Sequence, residues 1–84
     1  MIEDILKERG KTHGDYKLQS SGSQWLKQIM RSFPNWEDMS DGQRESLDMI
    51  CVKISRIGHG NPNHKDSWDD IQGYAKLAAD GIID

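Results

Sequence analysis

Eighty-four residues with 14 acidic and 11 basic side chains carry a net charge of −3, which argues against a dedicated binder of the DNA backbone. A chain this short buries only about 60–65% of its unfolded surface, so it makes one domain that gains from a partner chain. Its single cysteine, Cys51, excludes an internal disulfide and fits a reducing, cytoplasmic compartment; Met1 leads into Ile-Glu-Asp without a secretory leader, and no apolar run approaches the roughly 18–20 residues of a membrane span.

Ile2, Ile5, Leu6 and Arg9 have helical spacing, and Gly10 supplies a stop, which predicts a short first helix. Lys11 to Tyr16 reads as a polar loop in which Gly14 can take a positive φ. A second helix lies within Tyr16–Phe33, where Trp25, Ile29 and Phe33 repeat every four residues beside Leu26 and Met30. Ser20-Ser21-Gly22-Ser23 is poor helix sequence and Ser23 is a good N-cap, so the helix proper can begin as late as Ser23. Pro34 ends it. Asn35 to Ser40 is a connector, with Trp36 and Met39 folded against the core.

Ser40 and Gln43 match a capping box, which predicts a third helix from Asp41 to Ile57. Its main apolar stripe is Leu47, Ile50, Cys51, Ile54 and Ile57. Met49 and Val52 stand on the reverse side among charged residues, so that side is also expected to be covered, by a second copy of the chain. Gly58-His59-Gly60 and Pro62 close the element. Asn63 is a candidate cap for a fourth helix from about His64 to Ala79. At about 100° per residue, Trp68, Ile71, Ala75, Ala78, Ala79 and Ile82 share one face, with Asp66, Asp69, Asp70 and Gly73 opposite. The fold class is all-α: three main helices, a short N-terminal one, and a helical-bundle homo-oligomer as the expected assembly.

Two acidic sets stand at helical spacing, Glu45 and Asp48 on the third helix and Asp66, Asp69 and Asp70 on the fourth. Antiparallel packing can bring them across a shared gap, where hard cations such as Mg²⁺ favour carboxylate oxygens and keep waters for phosphate. The ordinary alternative is a solvated face whose aspartates oppose the helix dipole. Lys53 and Arg56, three apart, can grip phosphate or balance these acids. His64, at the start of the fourth helix, can donate a hydrogen bond to a ligand, and His13 has Gly14 and Asp15 beside it. Tyr74, like the three tryptophans, is more commonly a core residue than a ligand-stacking one, and Trp36 is the best-placed aromatic to stack on a base. The histidines and Cys51 show no zinc spacing, and no phosphate-loop or dinucleotide fingerprint is present.

Lys53-x-x-Arg56, followed by Asn61-Pro62-x-His64-x-Asp66-x-Trp68-x-Asp70-Ile71-x-Gly73-Tyr74-Ala75, resembles a group of small phage and prophage proteins of unassigned function. Arg9-Gly10 with His13-Gly14-Asp15 resembles the N-terminal signature of that group. The group is in turn similar to the all-α, MazG-like nucleoside triphosphate pyrophosphohydrolases. That resemblance implies an oligomer, dimer or tetramer, in which ExxE and ExxD pairs hold Mg²⁺ while a triphosphate is cleaved to monophosphate and pyrophosphate. It sets Glu45 and Asp48 at the first pair and Asp66 and Asp69 at the second, with Asp70 as an alternative inward acid. Asp48 and Asp66 stand where that pattern has Glu. The expectation is a nucleotide-binding protein with Mg²⁺ on these acids and Lys53, Arg56, His64 and Tyr74 toward the nucleotide. Its rival is a non-catalytic phage protein that binds a nucleotide signal or a host protein.

Overall fold

Ser40 fixes the start of the longest helix. Its Oγ accepts from the Gln43 N–H at 3.1 Å, and the Gln43 Oε1 accepts from the Ser40 N–H at 2.9 Å. Both halves of the predicted capping box are therefore present. In the computed structural model, which describes residues 1–83, this helix is the third of four, all α: α1 (Ile2–His13), α2 (Tyr16–Arg31), α3 (Asp41–His59) and α4 (Lys65–Asp80), with a single 3-10 turn at Trp36–Asp38. There is no strand among the described residues, and no helix long and apolar enough to cross a membrane.

Helix ends and caps differ from expectation at several points, α3 itself running on through Gly58 to His59. α1 runs through Gly10 and stops at Gly14, the one described residue with positive φ (84°). An interior glycine costs about 1 kcal/mol relative to alanine, which a helix can absorb, whereas only glycine adopts Gly14's backbone without strain. α2 begins at Tyr16, not Ser23, because Asp15 caps it by accepting from the Leu18 N–H at 3.1 Å. The serines then serve packing: Ser23 is buried, and a Cβ at Gly22 would press on Ser55 Oγ and the His59 ring, so small residues let α2 approach α3. At α4 the side chain of Asn63 is not the cap. Asn61 Oδ1 instead accepts from the Asn63 N–H at 2.9 Å, and the Trp68 indole donates to the Pro62 carbonyl at 2.8 Å.

α3 stands between α2 and α4, which hardly touch each other, and the body measures 47 × 24 × 22 Å. Its interior is unusually polar. Trp36 and Cys51 are the buried hydrophobic residues, alongside Gln19, Ser23, Ser46, Ser55 and Ser67. The Ser55 hydroxyl donates to the Gln19 carbonyl at 2.6 Å and ties α3 to α2, and Cys51 Sγ lies 3.6 Å from Met30 Sδ. Trp36 is only 7% exposed. The Arg31 and Arg44 guanidinium groups lie 5.1 and 5.8 Å from its ring, and Arg44 Nε donates to its carbonyl at 3.0 Å. It is a core residue and offers no face to a base.

Two helix faces are turned from the predicted ones. On α2 the inward residues are Gln19, Ser23, Leu26 and Met30, and the Trp25, Ile29, Phe33 series faces outward. On α4 they are Ser67, Ile71, Tyr74 and Ala78, while Trp68 is 51% exposed. Small serines permit close approach, so hydrophobic periodicity alone misplaced both faces. Met49 and Val52 are half-buried within the chain itself.

Candidate anion-binding site

Three of the five acids expected to hold Mg²⁺ are engaged separately by basic side chains. Asp48 Oδ2 is 3.1 Å from Arg31, Asp69 pairs with Lys65 on its own helix at 2.7 Å, and Asp70 pairs with Lys53 at 2.9 Å. Asp66 is exposed, 4.0 Å from His64 Nε2, and Glu45 is exposed on α3. Among the described residues no group of three or more His, Cys, Asp or Glu is placed to hold a metal ion. The acids therefore do not converge into a protein-held Mg²⁺ cluster; Mg²⁺ carried by a nucleotide needs only one or two carboxylates beside the substrate phosphates.

Asp70, itself half-exposed, serves as the counter-ion of Lys53. The Lys53 side chain is 12% exposed, and such an ammonium needs a partner. Lys53 donates a hydrogen bond to Asp70 and lies close to it, and so holds the carboxyl below the usual aspartate range. A lowered acid stabilises the fold above its unfolded pKa and loses that contribution as pH falls through the folded value. Asp70→Asn is therefore expected to lower the melting temperature at pH 7, with the two proteins converging in acid below the normal aspartate range. Equal or higher melting of the variant at pH 7 would show that Lys53 does not depend on this carboxylate.

Cationic groups gather at the other end of α3. Gly14 and Gly60 build this corner, since a Cβ on Gly14 would overlap the His59 carbonyl and one on Gly60 would overlap the Thr12 carbonyl. The Asn61 N–H donates to the Thr12 carbonyl at 2.8 Å and closes it. The end of α1 is thereby held against the turn that follows α3, and the His13 and His64 rings meet edge to face at 5.8 Å. Burial lowers the basicity of His13, and the positive fields of Arg56, His64, Lys53 and Arg9 lower it further.

Beside this cluster lies a cavity of about 480 Å³, with Leu6, Arg9, His13, Tyr16, Gln19 and Arg56 in its wall and the capping residue Asp15 at its edge as the one acid. Its size falls within the range of about 300–1,000 Å³ typical of small-molecule sites. His13 Nδ1 and Arg56 Nε are buried without a hydrogen-bond partner among the described residues. Buried polar atoms are ordinarily paired. Both residues also line the cavity, and with Arg9 they give its wall a cationic side suited to an anion. A smaller cavity of about 180 Å³ continues along α2 and shares Tyr16, Gln19 and Arg56.

Of the residues singled out from sequence, Lys53, Arg56 and His64 belong to this cluster. Tyr74 does not line the cavity; it borders an open depression with Asp69, Asp70, Gly73 and Leu77. Arg9, Tyr16 and Gln19 were not foreseen as site residues. The Arg9-Gly10 and His13-Gly14-Asp15 signature contained the available signal. The family described as "Domain of unknown function (DUF6378)" matches residues 2–81. The chain belongs to the DUF6378 family. Comparison with curated proteins and with solved structures gives no match. The DUF6378 match takes in α1, the glycine corner, α3 and α4 alike, so the cationic cluster lies entirely inside the family domain.

Proposed function

We propose that this DUF6378 chain binds a phosphorylated small molecule, a nucleotide in the first instance, in the cavity beside Arg9, His13 and Arg56. The observation that carries this reading is the set of Arg9, His13 and Arg56 on the cavity wall, with Lys53 and His64 near His13, in a protein of net charge −3. Arg56 offers fixed, forked donors suited to phosphate oxygens, and Leu6 and Tyr16 give the cavity an apolar wall for a less polar moiety. The resemblance to MazG-like enzymes and phage proteins also favours a nucleotide. Binding without hydrolysis fits better than catalysis, because Asp48, Asp69 and Asp70 are each paired with a different basic side chain. Mg²⁺ then belongs to the nucleotide rather than to a protein-held cluster.

The test is an NMR titration with ADP, ATP, pyrophosphate and adenosine, with and without Mg²⁺. The phosphorylated ligands should bind and adenosine should not, and added salt should weaken binding. Bound anion offsets the surrounding cations, so the His13 pKa should rise and binding should take up protons. Affinity then increases as pH falls from 8 toward 6. An unmoved His13 in millimolar ADP and pyrophosphate would reject the site. Pyrophosphate release from a triphosphate would instead favour the hydrolase reading.

A further inference from the structure

The chain exposes 6295 Å², whereas a folded monomer of 9.6 kDa exposes about 5,100 Å². Its radius of gyration is 14.4 Å, against about 12 Å for a compact domain of this length. No described side chain is completely buried. A single layer of helices has no second layer to cover its apolar side.

The uncovered surface is arranged in stripes. Leu18, Trp25 and Ile29 fall within about 40° on α2, and all are exposed. Ile54 is exposed on α3 in phase with Leu47, and Trp68, Ala75 and Ala79 are exposed on α4. A cavity of about 280 Å³ joins Leu47 and Ile50 of α3 to Ala75 and Ala78 of α4, so these two stripes border one groove. No Asp, Glu, Lys or Arg falls in phase with any of the three.

We infer that a second copy of this chain covers this face, in a two-fold pairing that sets the helical layer of one protomer on that of its partner. The surplus of about 1,200 Å² over the expected monomer surface falls within the roughly 1,000–2,500 Å² per chain that obligate homodimers bury. Because the face is uncharged, self-pairing sets no like charges opposite each other despite the acidic chain, and one self-complementary patch serves both protomers. The pairing is independent of the ligand reading.

Sedimentation equilibrium and concentration-dependent melting of the wild-type chain provide the test. The expected result is the mass of two 9.6-kDa chains and a melting temperature that rises with protein concentration. Ile29→Asp and Ile54→Asp introduce charges at positions that are solvent-facing in a lone chain, so each should give the mass of one chain with its helical circular dichroism retained. Leu77→Asp, exposed on the far side of α4, should leave the mass unchanged. Acrylamide quenching of Trp25 and Trp68 covers the case of variants that fail to fold; both should be shielded in concentrated wild-type protein and open on dilution. A one-chain mass with concentration-independent melting would overturn the inference and assign the face to a different protein. A dimer that survives both aspartates, or free quenching of both tryptophans in the dimer, would overturn it by placing the pairing elsewhere.

Discussion

Arg56→Met is expected to weaken ADP binding by about 10- to 100-fold, the equivalent of roughly 1.5–3 kcal/mol for hydrogen bonds to a charged group. The fold should remain intact. Methionine keeps much of the apolar stem, and Arg56 Nε has no partner among the described residues whose loss would be felt. The substitution also removes one of the cations that lower the basicity of His13, so the His13 pKa in the free protein should move back toward 6.5. Calorimetric titration and a histidine NMR titration would check both. A structural role for Arg56 predicts a different pattern, with lower thermal stability and unchanged ADP affinity. That pattern would remove Arg56 from the site.

Gly14→Ala should cost about 3 kcal/mol or more, since the glycine-only backbone region alone carries about 1–3 kcal/mol for another residue. The added Cβ also meets the His59 carbonyl, which is backbone and cannot rotate away. Against a total of about 5–10 kcal/mol for a small domain, this is a severe loss. Gly10→Ala is the matched control four residues earlier. Nothing lies within 4 Å of its added methyl, and helix propensity favours alanine there by about 0.5–1 kcal/mol. Urea unfolding of the pair should give opposite signs. Similar values for the two would mean that the corner yields easily and does not fix His13 against His64.

The contrast between these glycines also marks how far the sequence could be read. Ser40 and Gln43 lie within one turn, so the start of α3 was legible locally. Gly10 and Gly14 look alike in a sequence, and only the approach of His59, 45 positions from Gly14, distinguishes them. For the same reason Arg9 and His13 were visible as a signature but not as part of the site that contains Arg56. Lys53, Arg56 and His64 were legible as phosphate-facing candidates because they stand close together in the chain. The ion pairs of the acids were not legible, for a geometric reason. Helical spacing says that Glu45 and Asp48, or Asp66 and Asp69, share a side, but it does not say that Arg31, Lys53 and Lys65 reach them first. The outward turn of Trp25 and Trp68 was hidden by serines, whose small size outweighed the pull of the larger apolar residues.

The serine-rich interior has a calorimetric consequence. Exposing apolar surface raises the heat capacity on unfolding, and exposing polar surface lowers it. With Gln19, Ser23, Ser46, Ser55 and Ser67 buried against only Trp36 and Cys51, a lone chain should fall below the usual increment of about 12–15 cal/mol/K per residue. Its stability curve is then shallow, with little curvature on cooling. The apolar stripes add a further heat-capacity change only in an assembly that has withdrawn them from water.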